Sequence, residues 1–452
     1  MIELLHTTLS FVVAIALLIA VHEFGHFIVA RKLGIKVEKF SIGFGPALVS
    51  WRSRDREVLY VIAAIPLGGY VKMLGENPDE QGDEAKVELS EADKKRAFDV
   101  QPVWKRAAVS VAGPGFNFLF AIVAYMMIGW LGQTVLPPVV GHIAPASIAE
   151  QAGILVGDRV QAVDGKDVHS WQQMEEFLKS EVGEDVSLSI LRDSESMDLR
   201  LHVPVPDKDP LLLNVADELL GFDPGLSLII DHVVAGSPAE RAGLKDGDIV
   251  EQVNGQQVSD IQQFISQIKS HAGSPMDVAV TRDNILFQLQ IVPEKDEQQQ
   301  GKIGVRLTSR SVNGTETYRM NALQGLQYGF VRTWEMSALT LQVFGKMLTA
   351  AISPDNLGGP IAIAQLAGKT AELGLVSFLT FLALISVNLG VLNLLPIPIL
   401  DGGHLVYLGL EKLRGRPLAP KVMEKTQMIG LLLIIALMVF AFYNDISRLF
   451  RG

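Results

Sequence analysis

Four stretches of this chain are long and apolar enough to limit what it can fold into: roughly residues 4–26, 107–131, 375–396 and 428–443. Most approach the ~20 residues that a helix needs to cross a bilayer. In lipid a helix satisfies its own backbone hydrogen bonds, whereas an open strand or loop does not. The expected fold class is therefore an α-helical integral membrane protein with four transmembrane helices. The first stretch lacks a basic n-region, and HEFGH stands where small residues would mark a cleavage site, so it is expected to remain as a helix.

The rest of the 452-residue chain is polar enough to need soluble units. Hydrophobic residues make up 48% and charged residues 20%, a mixture that fits apolar spans joined to polar domains. The formal net charge of −11 argues against a nucleic-acid partner, which needs a clustered basic face. The chain has no cysteine, so a metal site must be built from His, Asp or Glu. Short-loop cations set orientation. Arg31, Lys32, Lys36 and Lys39 follow the first span, Lys94, Lys95, Arg96, Lys105 and Arg106 precede the second, and Lys412, Arg414, Arg416, Lys421 and Lys425 separate the last two. Both loops are expected to be cytoplasmic, with the termini and the 132–320 region on the opposite side. Arg448 and Arg451 run against that assignment.

Within 132–320 the sequence repeats. SIAEQAGILVGDRVQAVDGKDV (147–168) aligns without gaps to SPAERAGLKDGDIVEQVNGQQV (237–258), 90 residues on. Each copy reads as a short helix, a Gly-Asp turn, a strand, a tight Asp-Gly or Asn-Gly turn and a second strand, followed by a polar helix. AGLKDGDIVEQVNG resembles the core of PDZ domains, which capture extended peptides at a sheet edge. Two tandem PDZ-like α+β domains follow from the likeness, either as peptide readers or as covers with unused grooves. The expected organisation is 1–131 (two spans and the region between them), 132–220 and 221–309 (the PDZ-like pair), 310–370 (a linker with an interfacial amphipathic helix) and 371–452 (two spans). Residues 321–351 are helical in composition, but Arg332, Glu335 and Lys346 disfavour a span. The run 77–96, acidic and then basic, reads as a solvated loop.

HEFGH ends the first apolar run. In H-E-x-x-H on a helix, His22 and His26 share one face and can ligate one Zn²⁺, with Glu23 beside them as general base. Three ionisable groups at membrane depth need such compensation. Two histidines leave one protein ligand to find. In SVNLGVLNLLPIPILDGGHL (386–405), Pro396 and Pro398 break the third apolar run and deliver Asp401. Asp401 is the best candidate, with two alternatives: that it only caps the next helix, or that His404 is the ligand.

Between the first two spans, FSIGFGPAL (40–48) and LYVIAAIPLGGYVKML (59–74) are Gly-rich and β-prone. Gly68, Gly69 and Tyr70 allow an exposed edge strand beside the site, and an ordinary cytoplasmic hairpin is the alternative. In AGPGFNF (112–118), Gly113 and Asn117 are four apart on one helix face, where the glycine permits close approach and the asparagine can hydrogen-bond near the site.

HEFGH together with NLLPIPILDGG resembles the site-2 protease family of intramembrane zinc metalloproteases, and the likeness in motif order covers essentially the whole chain. It implies that His22, His26 and Asp401 hold zinc and that Glu23 is the catalytic base. It also implies a membrane-reentrant β element at Gly68, Gly69 and Tyr70 that pairs with substrate. Asn117 belongs to a G-x-x-x-N element, and Asn393, before the Pro-x-Pro, contacts the substrate backbone or only satisfies freed carbonyls. Single-span membrane proteins, among them an anti-sigma factor and remnant signal peptides, are the implied substrates in a bacterial inner membrane. A non-catalytic PDZ-bearing scaffold is the competing function, and an intact Glu23 weighs against it. No membrane repeat supports a transporter.

Overall fold

The computed structural model describes residues 2–76, 90–210, 213–258, 261–283, 285–296, 299–311, 313–349 and 358–451, so most of the 77–96 run lies outside the described residues. Its described end is not a free loop, because Arg96 makes two hydrogen bonds to Glu57, at 2.7 and 3.0 Å. The chain divides into a unit of residues 1–133 with 319–452, and a second unit, Thr134–Tyr318.

In the first unit, helix α1 is Ile2–Lys32. It stops at Gly34, whose φ of 82° is the left-handed conformation that ends helices at little cost to glycine. Strands β1 (Val37–Arg52) and β2 (Leu59–Met73) follow. Helices α2 (Val103–Leu131), α3 (Ala322–Leu348), α4 (Pro360–Glu372), α5 (Leu375–Leu394), α6 (Asp401–Arg414) and α7 (Pro420–Arg451) complete the unit. Among the described residues, four segments are long and apolar enough to cross a membrane: Leu4–Lys32, Val103–Leu131, Leu375–Leu394 and Pro420–Ser447. The first and last outrun the apolar stretches read from sequence, because helical hydrogen bonding continues through the polar residues at their ends.

Small residues set how closely these helices pack. A Cβ at Gly25 of α1 would meet the Ala112 backbone and Phe116 of α2. Ala121, Ala124, Tyr125 and Ile128 of α2 pack on Ala383, Val387 and Val391 of α5. Ala14 and Leu18 of α1 pack with Ala367 of α4 and Phe381 and Leu382 of α5. Buried Asp445 of α7 accepts hydrogen bonds from the backbone N–H groups of Gly359, Ile361 and Ala362 at 2.9, 2.8 and 3.2 Å, capping α4. Helix α3 packs against α2 and α5. It runs lengthwise on its neighbours: Gly325 abuts Trp130, Gly329 abuts Ile122 and Met126, and Thr340 Oγ1 donates to Asn388 of α5 at 2.8 Å.

The β1–β2 sheet curls. Ser41 and Ile42 of β1 pair with Tyr70 and Gly69 on one side and with Val61 and Ile62 on the other. Residues 69–73 are thus an outer strand, paired only on the β1 side among the described residues.

The second unit holds two similar α/β copies, each with its own core. Strand Arg159–Val163 corresponds to Ile249–Val253, and helix Trp171–Ser180 to Ile261–Ser270, at the 90-residue offset of the repeat. The correspondence runs beyond the aligned segments: Arg192 Nε donates to buried Asp158 at 2.7 Å, and Arg282 Nε to buried Asp248 at 2.6 Å. The second copy extends past residue 309, since Val305–Ser311 is a strand paired with Leu226–Val233.

Candidate metal centre

His22 and His26 lie one helical turn apart on α1, and Asp401 comes to them from α6. His22 Nε2 lies 3.3 Å from Asp401 Oδ2, His26 Nε2 lies 3.5 Å from Asp401 Oδ1, and the two Nε2 atoms are 3.2 Å apart. A tetrahedral zinc with ligand bonds of about 2.0–2.2 Å separates its ligand atoms by roughly 3.3–3.5 Å. The two Nε2 atoms stand at such a separation from each other, and each stands at such a separation from one of the two oxygens of the Asp401 carboxylate. Among the described residues, these three form the cluster of His, Asp and Glu able to hold a metal.

Both histidines are aimed from behind by α2. His26 Nδ1 lies 2.8 Å from the Val109 carbonyl, which can only accept, so Nδ1 carries the proton and Nε2 is bare. Nδ1 of His22 faces the side-chain amide of Asn117 at 3.1 Å. With the amide nitrogen turned to the ring, Asn117 Oδ1 is buried without a partner. The opposite amide orientation lets Oδ1 accept the Nδ1 proton and frees His22 Nε2 for a metal. Ser386 Oγ of α5 donates to the Asn117 carbonyl at 2.9 Å and steadies this residue. Gly113 sits between them, where a Cβ would strike both imidazoles. Val109, Gly113 and Asn117 are each four apart, so one stripe of α2 backs the site. The G-x-x-x-N spacing pointed to part of that stripe. Val109 acts through its backbone and has no side-chain signature; its place one turn before Gly113 is the signal that would have found it.

Asp401 is the first residue of α6, and Leu400 occupies the cap position without a side-chain cap bond. Its carboxylate is thus not spent on capping. His404, one turn on, faces the adjoining cavity and does not join the cluster. That cavity, of about 190 Å³, is also lined by Glu23, His26, Gly69, Tyr70 and Asp401, so Glu23 and the edge strand open onto the same space. A Cβ at Gly69 would lie 2.8 Å from the Ser41 carbonyl and 3.0 Å from Glu23 Cγ, so only glycine lets β2 pass this close. Gly68 accommodates the Phe44 ring, which stacks on Tyr70 with centroids 6.3 Å apart. Asn393 is half-buried near the end of α5 and is not brought into the cluster. Asn117, which the likeness places with the substrate-binding residues, is wholly buried, and its amide faces His22 Nδ1 at 3.1 Å.

A solved PDZ domain, from the SdrC-like protein of Listeria monocytogenes, is similar over 19% of this chain and 90% of its own, with 23% identity and a TM-score of 0.17. Protease RseP of Yersinia pestis is 40% identical over 466 aligned residues, which cover 99% of this chain and 100% of that protein. The regulator of sigma-E protease RseP of Escherichia coli (strain K12) is 39% identical over 462 residues, 99% of this chain and 100% of that protein. The profile of Peptidase family M50 matches residues 10–437. With that match spanning nearly the whole chain, the protein belongs to peptidase family M50, the site-2 protease family, and is an intramembrane metalloendopeptidase.

Proposed function

We propose that this protein hydrolyses peptide bonds of single-span membrane proteins within or near the bilayer, with one Zn²⁺ held by His22, His26 and Asp401. The observation that carries the reading is the pair of Nε2 atoms 3.2 Å apart, each facing its own oxygen of the Asp401 carboxylate at 3.3 and 3.5 Å, with both Nδ1 atoms engaged by α2. Zinc, when bound, supplies Lewis acidity that polarises a carbonyl and makes water acidic enough to lose a proton near neutral pH. Glu23 receives the proton of the attacking water on its carboxylate and returns it to the leaving amine. A substrate helix keeps its amides and carbonyls internally bonded, so it must open before a peptide bond can reach Glu23. The outer strand 69–73 is the edge to which the opened segment adds as a further strand, beside Gly68, Gly69 and Tyr70, with the Met73 N–H held by Glu76 at 3.3 Å until then. Asn393 is assigned to the substrate backbone or to the developing oxyanion.

The basic residues at 31–39, 94–106 and 412–425 support a bacterial inner-membrane orientation with the metal centre toward the cytoplasm and the repeat pair in the periplasm. Re-entry of β1–β2 into the membrane belongs to the same reading: Phe44, Leu48, Val49 and Trp51 of β1 are exposed apolar residues that lipid would cover. The repeat pair is read as tandem PDZ-like domains that exclude substrates with intact ectodomains. The relatives' printed name, regulator of sigma-E protease, supports an anti-sigma factor as a substrate, with remnant signal peptides as a second class. The test is cleavage of a purified single-span substrate in detergent, with the cut mapped by mass spectrometry. A cut in or beside the apolar segment, blocked by a zinc chelator and restored by zinc, is expected; a cut confined to the ectodomain would overturn the proposal.

A further inference from the structure

Helix α6 brings Asp401 to the two histidines, and its geometry shows how it is held. The turn into it is strained. Ile399, two residues before Asp401, has φ of 90°, a conformation that a β-branched side chain adopts only when the surroundings impose it. Gly402 and Gly403 then press against the carbonyls of Leu394, Leu395 and Ile397, so the start of α6 pivots on the end of α5. At the far end, Glu411 receives Arg106 of α2 in a two-pronged ion pair, Nη1 to Oε2 at 3.1 Å and Nη2 to Oε1 at 2.5 Å. Both side chains are largely buried, and Arg106 Nε also donates to the Gln101 carbonyl at 3.0 Å, which fixes the plane of the guanidinium. Arg106 stands one turn before Val109, whose carbonyl aims His26.

We infer that the Arg106–Glu411 pair is a positioning clamp for the metal centre: it sets the tilt of α6 against α2 and so registers the Asp401 carboxylate with His22 and His26. The strained entry and the close glycine contacts fix the start of α6, Tyr407 ties its middle to Thr426 of α7 at 2.7 Å, and the ion pair ties its far end to α2. A bidentate Arg–carboxylate pair constrains angle as well as distance. The tie joins the helix that carries the carboxylate ligand to the helix that backs both histidine ligands. The inference rests on the zinc centre proposed above.

The test uses full-length, metal-stripped protein in detergent and Zn²⁺ alone as the probe, with affinity read by competition against a chromophoric chelator. Arg106→Ala and Glu411→Gln are each expected to weaken zinc binding about ten-fold or more, the usual scale for groups that orient ligands. Both are expected to lower kcat while KM stays near the wild-type value. The exchanged pair, Arg106→Glu with Glu411→Arg, recovers most of the affinity. Glu411→Gln keeps the side-chain volume, so a folding failure of Arg106→Ala does not remove the test. Variants that bind zinc as wild type does, with only the melting temperature lowered, would overturn the clamp, as would a loss that the exchange does not recover. Wild-type protein that takes up no zinc would instead overturn the metal centre itself.

Discussion

Asn117, wholly buried on α2, faces Nδ1 of His22 at 3.1 Å. This contact decides which ring nitrogen of His22 is free, because an acceptor behind Nδ1 leaves Nε2 bare toward Asp401. Replacing Asn117 by Leu removes the acceptor while keeping the branched shape and heavy-atom count of the side chain. Zinc affinity is expected to fall about 10- to 100-fold in chelator competition. Asn117→Asp, which still accepts, is expected to keep most of it.

Gly69 separates chemistry from metal binding. A side chain there would press on the Ser41 carbonyl and on Glu23, pushing the outer strand away from the base. Gly69→Ala is expected to leave the zinc content at the wild-type level and to lower kcat/KM by about ten- to a hundred-fold, the scale of a small misplacement. Metal analysis alongside kinetics on a single-span substrate checks both halves of this expectation.

Gly113 makes the opposite prediction. Its missing Cβ leaves room for both imidazoles, so Gly113→Ala displaces them. Zinc is expected to be lost from the purified protein, while hydrogen exchange in the Thr134–Tyr318 unit stays unchanged.

Glu175 gives the soluble unit a pH dependence. It is buried in the first repeat copy and accepts backbone N–H groups from Val215 and Ala216, and burial, the largest influence, holds its carboxyl above the ordinary glutamate range. The folded state therefore binds that proton more tightly than the unfolded chain does. This contribution is fully present at pH below the ordinary glutamate value and is lost as pH rises through the raised one. Glu175→Gln is expected to remove that fall, measured as the pH dependence of hydrogen exchange in helix Trp171–Ser180.

The features legible in the sequence were those with a local period or a fixed spacing. Apolar runs marked the spans, the i, i+4 histidines marked one helix face, and the 90-residue offset carried the repeat. That offset held even at Arg192 and Arg282, beyond the segments first aligned. The broken run at Pro396 and Pro398 pointed to Asp401 because prolines in lipid must have a reason. What sequence could not expose was action at a distance through groups that every residue shares. The Val109 carbonyl has no side-chain signal. Arg106 and Glu411 lie 305 positions apart, and each alone reads as an ordinary loop-side charge. Asn117 was legible as a neighbour of the two histidines, but its burial against His22 depends on how α1, α2 and α5 pack. The length of α3 was legible, whereas its close contact with α2 through glycines 325 and 329 was not.

The central claim is that Glu23 is the base beside a zinc held by His22, His26 and Asp401. Its most direct test is Glu23→Gln in the full-length protein, with zinc content and cleavage of a single-span substrate measured on the same preparation. The account predicts zinc retained at the wild-type level and cleavage lowered by at least about a hundred-fold, the contribution of a positioned general base. Cleavage that continues near the wild-type rate, with zinc bound, would contradict it.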